Sequence, residues 1–321
     1  MPNHELTSAP FRRAQVRDNA NHPPSTDQWW QESVLFNLSN PRDGLAGQYR
    51  LNIHPNRHAA TVYTWTQLDG RMIDRRMVTD LELPGTDLTS ASLGGLSITT
   101  VAALDEYRLR LHTDDLDLDV SWSVFMPPIH LDYNIAGATV ANGHYQSLGR
   151  ARGELRYRGR TVPVQADGFM DHSWGVRRQH LPGSRWMVAI FDPTFFVMAI
   201  PILTDQGKHM VGYVMDQGVL GALTSDYDIN MTFRDDWISP QACDATLFDH
   251  NGRGYHITGY TVGPSSIQPF GHGKLVTHAP ARYECGGRIG RGVLESSSPR
   301  SMMPSEIAAL NLDPTSWWIN G

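Results

Sequence analysis

Along most of this chain apolar and polar residues alternate one for one. Between Asp115 and Val124, one set of positions holds Leu116, Leu118, Val120, Trp122 and Val124, and the other holds Asp115, Asp117, Asp119, Ser121 and Ser123. A period of two marks an extended strand with one face buried and the other in water. Gln48 to Ile53 repeats the pattern, with Tyr49, Leu51 and Ile53 on one side. Thr61 to Gln67 is rich in the β-branched and aromatic residues that strands favour, and its Tyr63 and Trp65 share a face opposite Val62 and Thr64. Turn-forming clusters separate these runs at Asn40-Pro41-Arg42-Asp43-Gly44, His54-Pro55-Asn56, Asp69-Gly70, Asn142-Gly143, Arg158-Gly159 and Asn251-Gly252-Arg253-Gly254. Asp-Gly and Asn-Gly pairs supply the positive φ angles of tight hairpins. Helical signals are confined to Ser305 to Leu312, where Ser305 follows Pro304 as a cap, and to a turn over Asp27 to Ser33. Many short strands with regular turns predict an all-β barrel or sandwich.

A chain of 321 residues exceeds the usual size of one core, so two domains are expected. The boundary is placed at Gln179 to Ser184, where His180, Pro182 and Gly183 separate two strand-like runs. Residues 1–24 then form a tail or an arm laid on the surface, 25–183 a first domain and 184–321 a second. Strands are expected in the second half at Met210 to Met215, Tyr227 to Phe233, Ala245 to Asp249 and Gly254 to Tyr260. The longest apolar stretch, Trp186 to Leu203, is broken by Asp192-Pro193-Thr194 and contains Pro201, which predicts a buried hairpin and not a membrane span. Met1 to Pro24 lacks an apolar core of signal-peptide length. A net charge of −6 and dispersed basic residues argue against nucleic acid or an anionic membrane as partner. Two cysteines make no disulfide framework, and a soluble protein of the reducing cytoplasm is expected. The oligomeric state is left open.

The densest chemistry lies in Asp171-His172-Ser173-Trp174-Gly175-Val176-Arg177. In a strand, His172 and Trp174 share one face, and Asp171, Ser173 and Arg177 the other. A proton-transfer group beside a large π-surface suits chemistry on an apolar, unsaturated ligand; a structural corner with Trp174 in the core is the alternative. Arg177 is expected to pair with Asp171 or Asp167 as a brace, which keeps Asp171 ionised. Asp192 closes the apolar run that begins at Trp186. At the mouth of a hydrophobic pocket its pKa would rise and make it an acid near neutral pH; against that stands the strong reading of Asp before Pro193 as an ordinary turn opener. Tyr63, Trp65, Trp122 and Trp186 are candidates to line a ligand cavity, or simply to fill the barrel. No metal is expected. His54 and His58 have Pro55 and Asn56 between them, and His272 and His278 flank a glycine-rich loop with no nearby carboxylate. Cys243 and Cys285 read as small buried hydrophobes. The chain has no nucleophile elbow, complete phosphate loop or dinucleotide fingerprint, and no cofactor is expected.

Two stretches resemble a lipocalin-like (calycin) superfamily that includes AttH-like proteins and carotenoid 1,2-hydratases (hydroxyneurosporene synthases). They are Trp30 to Asn56 and His144 to Arg177, the latter with H-Y-Q-S-L-G-R and D-G-F-M-D-H-S-W-G-V-R. The resemblance implies two consecutive lipocalin-like antiparallel β-barrels with little helix, and a ligand region near their junction. It also implies addition of water to an alkene without cofactor: an acid protonates the double bond and water captures the cation. The family's His and Trp fall on His172 and Trp174, and its acid belongs to the following strand, where Asp192 is the nearest candidate. The chain lacks the apolar N-terminus of the carotenoid enzymes, so a smaller terpenoid, aromatic or polyketide-like substrate is expected. The resulting expectation is a cofactor-independent hydratase or dehydratase with His172 as relay, Asp192 or Asp171 as acid–base group and Trp174 as a wall. On that reading Asp192→Asn abolishes turnover and spares folding. An isomerase or cyclase in the same cavity, or a non-catalytic carrier of an apolar metabolite, are the alternatives.

Overall fold

A computed structural model of the chain describes residues 11–299, apart from 41, 84, 86, 136–137, 140, 177–182, 205–206 and 271–273. The chain first forms β1 (Trp30–Asn40), β2 (Leu45–His54), β3 (Ala59–Leu68), β4 (Arg71–Glu82), β5 (Ser90–Leu93), β6 (Leu96–Ala102), β7 (Glu106–His112) and β8 (Leu116–His130). The two-residue pair β9 (Asn134–Ile135) and β10 (Ala138–Thr139) precedes the long hairpin β11 (Gly143–Tyr157) and β12 (Arg160–Val176). These strands, β9 and β10 aside, make a ten-stranded antiparallel sheet in the order β4-β3-β2-β1-β12-β11-β8-β7-β6-β5, curled into a nearly closed barrel. The second sheet contains β13 (Ser184–Asp192), β14 (Phe195–Thr204), β15 (Gly207–Asp216), β16 (Val219–Phe233), β17 (Pro240–Asp249), β18 (Gly254–Thr261), β19 (Ser266–Phe270), β20 (Lys274–Cys285) and β21 (Arg288–Pro299). Pairing of β18 with β20 closes eight of these strands into a ring and leaves β19 on its outside. The fold is therefore two consecutive lipocalin-like barrels. Helix among the described residues amounts to two short 3-10 segments, Val16–Asn19 and Pro55–Arg57. None is long and apolar enough to cross a membrane.

Local chemistry accounts for most of this. On β8 the apolar set Leu116, Leu118, Val120, Trp122 and Val124 is buried, while Asp117, Ser121 and Ser123 are exposed. Asp69 and Gly70 carry φ angles of 52° and 72° and turn β3 into β4 as a tight hairpin. The turn foreseen over Asp27 to Ser33 is shorter: Trp30 N–H donates to Asp27 O at 3.0 Å and the strand begins there, because Trp30 can pair with Val176 on β12. The helix foreseen at Ser305 to Leu312 lies outside the described residues.

Besides a small cluster of Ala46, Tyr63 and Trp65 on β2 and β3, apolar side chains form three larger cores. One fills the first barrel around Phe36, Tyr49, Leu51, Trp122 and Leu155. A second fills the closed barrel around Val197, Leu247, Ile257 and Tyr283. The third lies between the barrels, where Leu35, Leu148 and Phe169 of the first meet Val188, Met198, Tyr213 and Val293 of the second. The start of the arm runs along the end of β8, where Ala14 N–H donates to Pro128 O at 2.9 Å and His130 N–H to Arg12 O at 2.7 Å, and its later part reaches β1, where His22 N–H donates to Glu32 Oε2. This arm does more than lie on the surface, since it buries Asp18 and Asn19.

Candidate functional site

Strand β12 separates two environments. Its Met170, His172 and Trp174 face into the first barrel, whereas Phe169 faces the second. The register places the outward residues in rows. Gln146, Asp171, Leu35, Arg50 and Tyr63 are successive partners across β11, β12, β1, β2 and β3. The next row is Leu148, Phe169, Asn37, Gln48 and Trp65. Paired residues share a face, so both rows look toward the second barrel. There, Trp186, Glu295, His278 and Ser266 form a matching row across β13, β21, β20 and β19.

The two sides meet through polar groups. Tyr213 Oη donates to Gln146 Oε1 at 2.8 Å, Tyr63 Oη lies 2.8 Å from Ser266 Oγ, and Gln48 Nε2 lies 3.4 Å from His278 Nε2. Trp65 Nε1 donates to Gln48 Oε1 at 3.0 Å, and the Trp186 ring packs on Phe169 at 4.8 Å. His278 Nε2 is 2.5 Å from Glu295 Oε2, a direct imidazole–carboxyl contact. Burial lowers the Arg50 pKa, and the charges of Asp171 and Glu295 oppose that shift. The seam thus encloses two carboxylates, a guanidinium and an imidazole between aromatic walls. Gln146 Nε2, Trp186 Nε1 and His278 Nδ1 are buried here without a hydrogen-bond partner among the described residues. Unmet polar atoms of this kind cost about 1–3 kcal/mol each unless something else satisfies them. Beside the seam opens a groove of about 430 Å³, lined by Ala46, Gln67 and Gly70 of the first barrel and Val262, Gly263 and Pro280 of the second.

The inward face carries a second cluster. His172 Nε2 lies 2.7 Å from Glu32 Oε1 on β1, and His22 Nδ1 on the arm lies 2.7 Å from the same oxygen. His22 N–H also donates to Glu32 Oε2 at 2.9 Å. Burial pushes the Glu32 pKa up, but hydrogen bonds from His172 and His22 outweigh it and hold the carboxyl below its ordinary value. Burial lowers the His172 pKa, with Glu32 opposing. An ionised Glu32 therefore faces neutral imidazole, His172 Nε2–H donates to it, and His172 Nδ1 accepts from Tyr145 Oη at 3.2 Å. The His22 ring stacks on Trp174, with centroids 3.5 Å apart and planes 9° apart.

A model of a domain of unknown function, DUF7064, matches residues 15–300, which is most of the chain. The chain belongs to the DUF7064 family. No curated protein matches this DUF7064 sequence. Its fold is shared with solved structures at low identity. A Nitrosomonas europaea protein described as an AttH superposes with a TM-score of 0.62 at 15% identity, over 92% of the DUF7064 chain and 97% of the other. CghA, solved with Sch210972, gives 0.58 at 10% identity over 84% and 88%. Kievitone hydratase from Nectria haematococca gives 0.58 at 10% identity over 89% and 93%. The fold of the DUF7064 chain is thus AttH-like.

The residues singled out from sequence are divided between these places. Asp171, Tyr63, Trp65 and Trp186 converge on the seam; Tyr63 and Trp65 face out of the first barrel, not into it. His172 and Trp174 sit on the inward side, and Trp122 packs edge-on against Phe36 in the filled core. Arg177 lies outside the described residues. Asp167 binds Arg150, at 2.5 Å, and Arg291 of the second barrel. Asp192 stands apart from both clusters in its hydrogen bonding. Its Oδ1 accepts from Thr194 N at 2.7 Å, Thr194 Oγ1 at 2.6 Å and Phe195 N at 2.9 Å, within the β13–β14 turn. Burial raises its pKa, but these bonds and Arg288 outweigh that and leave it lowered, contrary to the raised value expected of a pocket acid. The expectation that His278 lacks a carboxylate is also corrected, because the β20–β21 hairpin brings Glu295 to it. His22, Glu32, Arg50 and Glu295 were not anticipated.

Proposed function

We propose that this DUF7064 protein is a hydratase-type lyase acting on a hydrophobic small molecule held at the seam between its barrels. The observation that carries the reading is the Glu295–His278 couple, at 2.5 Å, set between Trp186 and Tyr63. A carboxyl and an imidazole that share a proton can deliver it to an alkene carbon and recover one from the attacking water, so a hydration cycle balances. Dehydration runs the same steps backwards. Asp171 and Arg50 set the charge of the enclosure, and the indoles of Trp65 and Trp186 offer π-faces to a developing cation. In this reading Asp171 tunes the site, and His172, on the other face of β12, takes no part in the chemical step. Fold-sharing with kievitone hydratase supports the reaction class. The Sch210972 complex of CghA supports the capacity of such a fold to hold a small molecule.

The test is incubation with kievitone and with a panel of alkene-bearing terpenoid, aromatic and polyketide-like compounds, read by mass spectrometry for gain or loss of one water. One compound class should convert, and Glu295→Gln should slow it by about 100-fold or more while ligand binding persists. Binding without conversion in the wild-type protein would instead establish a carrier. Rearrangement without change of mass would point to an isomerase or cyclase.

A further inference from the structure

The inward face of β12 carries a feature that acid–base work at the seam does not use. We propose that His22, Glu32 and His172 bind one divalent transition-metal ion of the zinc type. Their donor atoms, His22 Nδ1, a Glu32 carboxylate oxygen and His172 Nε2, lie within 4.8 Å of one another. Two imidazoles and a carboxylate, with one position left over, form a donor set characteristic of zinc sites open to a further ligand. Ligands at about 2.0–2.2 Å from a tetrahedral ion stand roughly 3.3 Å apart. Glu32 Oε1, now 2.7 Å from each nitrogen, is closer than that, so the carboxylate withdraws by about half an ångström when an ion enters.

Three further observations favour an ion over a bare hydrogen-bonded triad. Glu32 is 0% exposed and His172 1% exposed, so the carboxylate charge is enclosed with no ion pair to Arg or Lys among its described contacts. A buried charge needs compensation, and a dication between the three groups provides it. The shell around the donors is also prepared. If His172 Nε2 binds metal, its proton resides on Nδ1 and is donated to Tyr145 Oη; the Tyr145 hydroxyl can then donate to Asn19 Oδ1, 3.5 Å away. The same hydroxyl therefore satisfies His172 with or without the ion. Finally, the His22 ring is fixed by its stack on Trp174 and by the bond from its backbone N–H to Glu32. The His22 side chain is 18% exposed, so the cluster reaches solvent on the His22 side, and water would complete the shell.

The donors come from the arm, β1 and β12, so the ion would staple residues 11–29 across the first barrel. Full-length protein stripped with EDTA and titrated with Co²⁺ should take up one equivalent with the visible spectrum of a tetrahedral site, and Zn²⁺ should displace it. Zn²⁺ should also slow tryptic cleavage at Arg13 and Arg17 in the arm. His22→Ala, on the arm and outside both barrel cores, should weaken binding by about 100-fold or more. Glu32→Gln should do the same, while His256→Ala, at an exposed His paired with Asp244, should leave binding unchanged. Absence of a tetrahedral Co²⁺ spectrum at one equivalent overturns the proposal, and so does uptake that His22→Ala leaves intact.

Discussion

Asp192 offers a sharp separation between a turn residue and a catalytic acid. Asp192→Ala removes one acceptor oxygen that receives two backbone N–H groups and one hydroxyl. The turn is open to water, so the released donors are resolvated and the loss is the net value of a capping interaction, about 1–2 kcal/mol in all. Asp192→Asn keeps an Oδ1 acceptor and forfeits only the charge, about 0.5 kcal/mol. For a chain of this size those losses lower Tm by roughly 1–4 °C. The sign with pH also follows. The folded-state pKa lies below the ordinary 3.8, so the stabilisation is complete above that value and fades as pH falls through the folded-state value. Urea denaturation of wild type and Asp192→Asn should therefore show a gap at pH 7 that closes in acid. Both variants should convert substrate at wild-type rates in the water-addition assay. Loss of turnover with the urea midpoint preserved would refute this account and return Asp192 to the role of acid.

Two other substitutions probe the strands that frame the seam. A Cβ at Gly168 would collide with the backbone oxygen of Asn37 on β1, so Gly168→Ala should cost about 1–3 kcal/mol or more in urea; wild-type stability would mean that β1 and β12 are not in this close contact. Asp171→Asn should destabilise by about 3 kcal/mol by removing one of the carboxylate charges that offset the burial of Arg50, and adding Arg50→Met should recover part of that loss. Simple additivity of the two in a double-mutant cycle would show that Asp171 does not act on Arg50.

What the sequence discloses depends on whether a contact is local. Alternation fixed the strands, and the turn pairs fixed register within hairpins. Arg158-Gly159, with φ of 47° and 80°, sets Gln146 against Asp171 and Tyr145 against His172. Gly286-Gly287, with φ of 56° and 76°, sets His278 against Glu295 by the same count. The second pairing is therefore legible in the chain, provided Gly286-Gly287 is taken as the centre of a two-residue hairpin. The Glu32–His172 contact carries no such signal. It depends on β1 pairing with β12, a contact spanning 140 positions, and no local turn specifies which distant strand joins a sheet edge. His22 is harder still, since its stretch is irregular and is held by hydrogen bonds to β8 and Glu32 rather than by a repeating pattern.

The same reasoning explains why Asp171-His172-Ser173-Trp174 is dense in chemistry without forming one site. A strand shared between a barrel interior and a barrel–barrel seam must satisfy two unlike environments at successive positions. Phe169 and Asp171 answer to the second barrel, and Met170, His172 and Trp174 to the first. Neighbours in sequence are therefore the residues least able to act on one reacting atom, because the backbone of β12 lies between them. The partners that matter come from other strands: Arg50, Glu295 and His278 outside, Glu32 and His22 inside. This makes the two proposals separable by experiment. Glu295→Gln should abolish water addition and leave Co²⁺ binding intact, since no described contact of Glu295 reaches the inward cluster. His22→Ala should abolish Co²⁺ binding without changing the charges at the seam. If either variant removed both properties, the two faces of β12 would be coupled, and a division of function between them would fail.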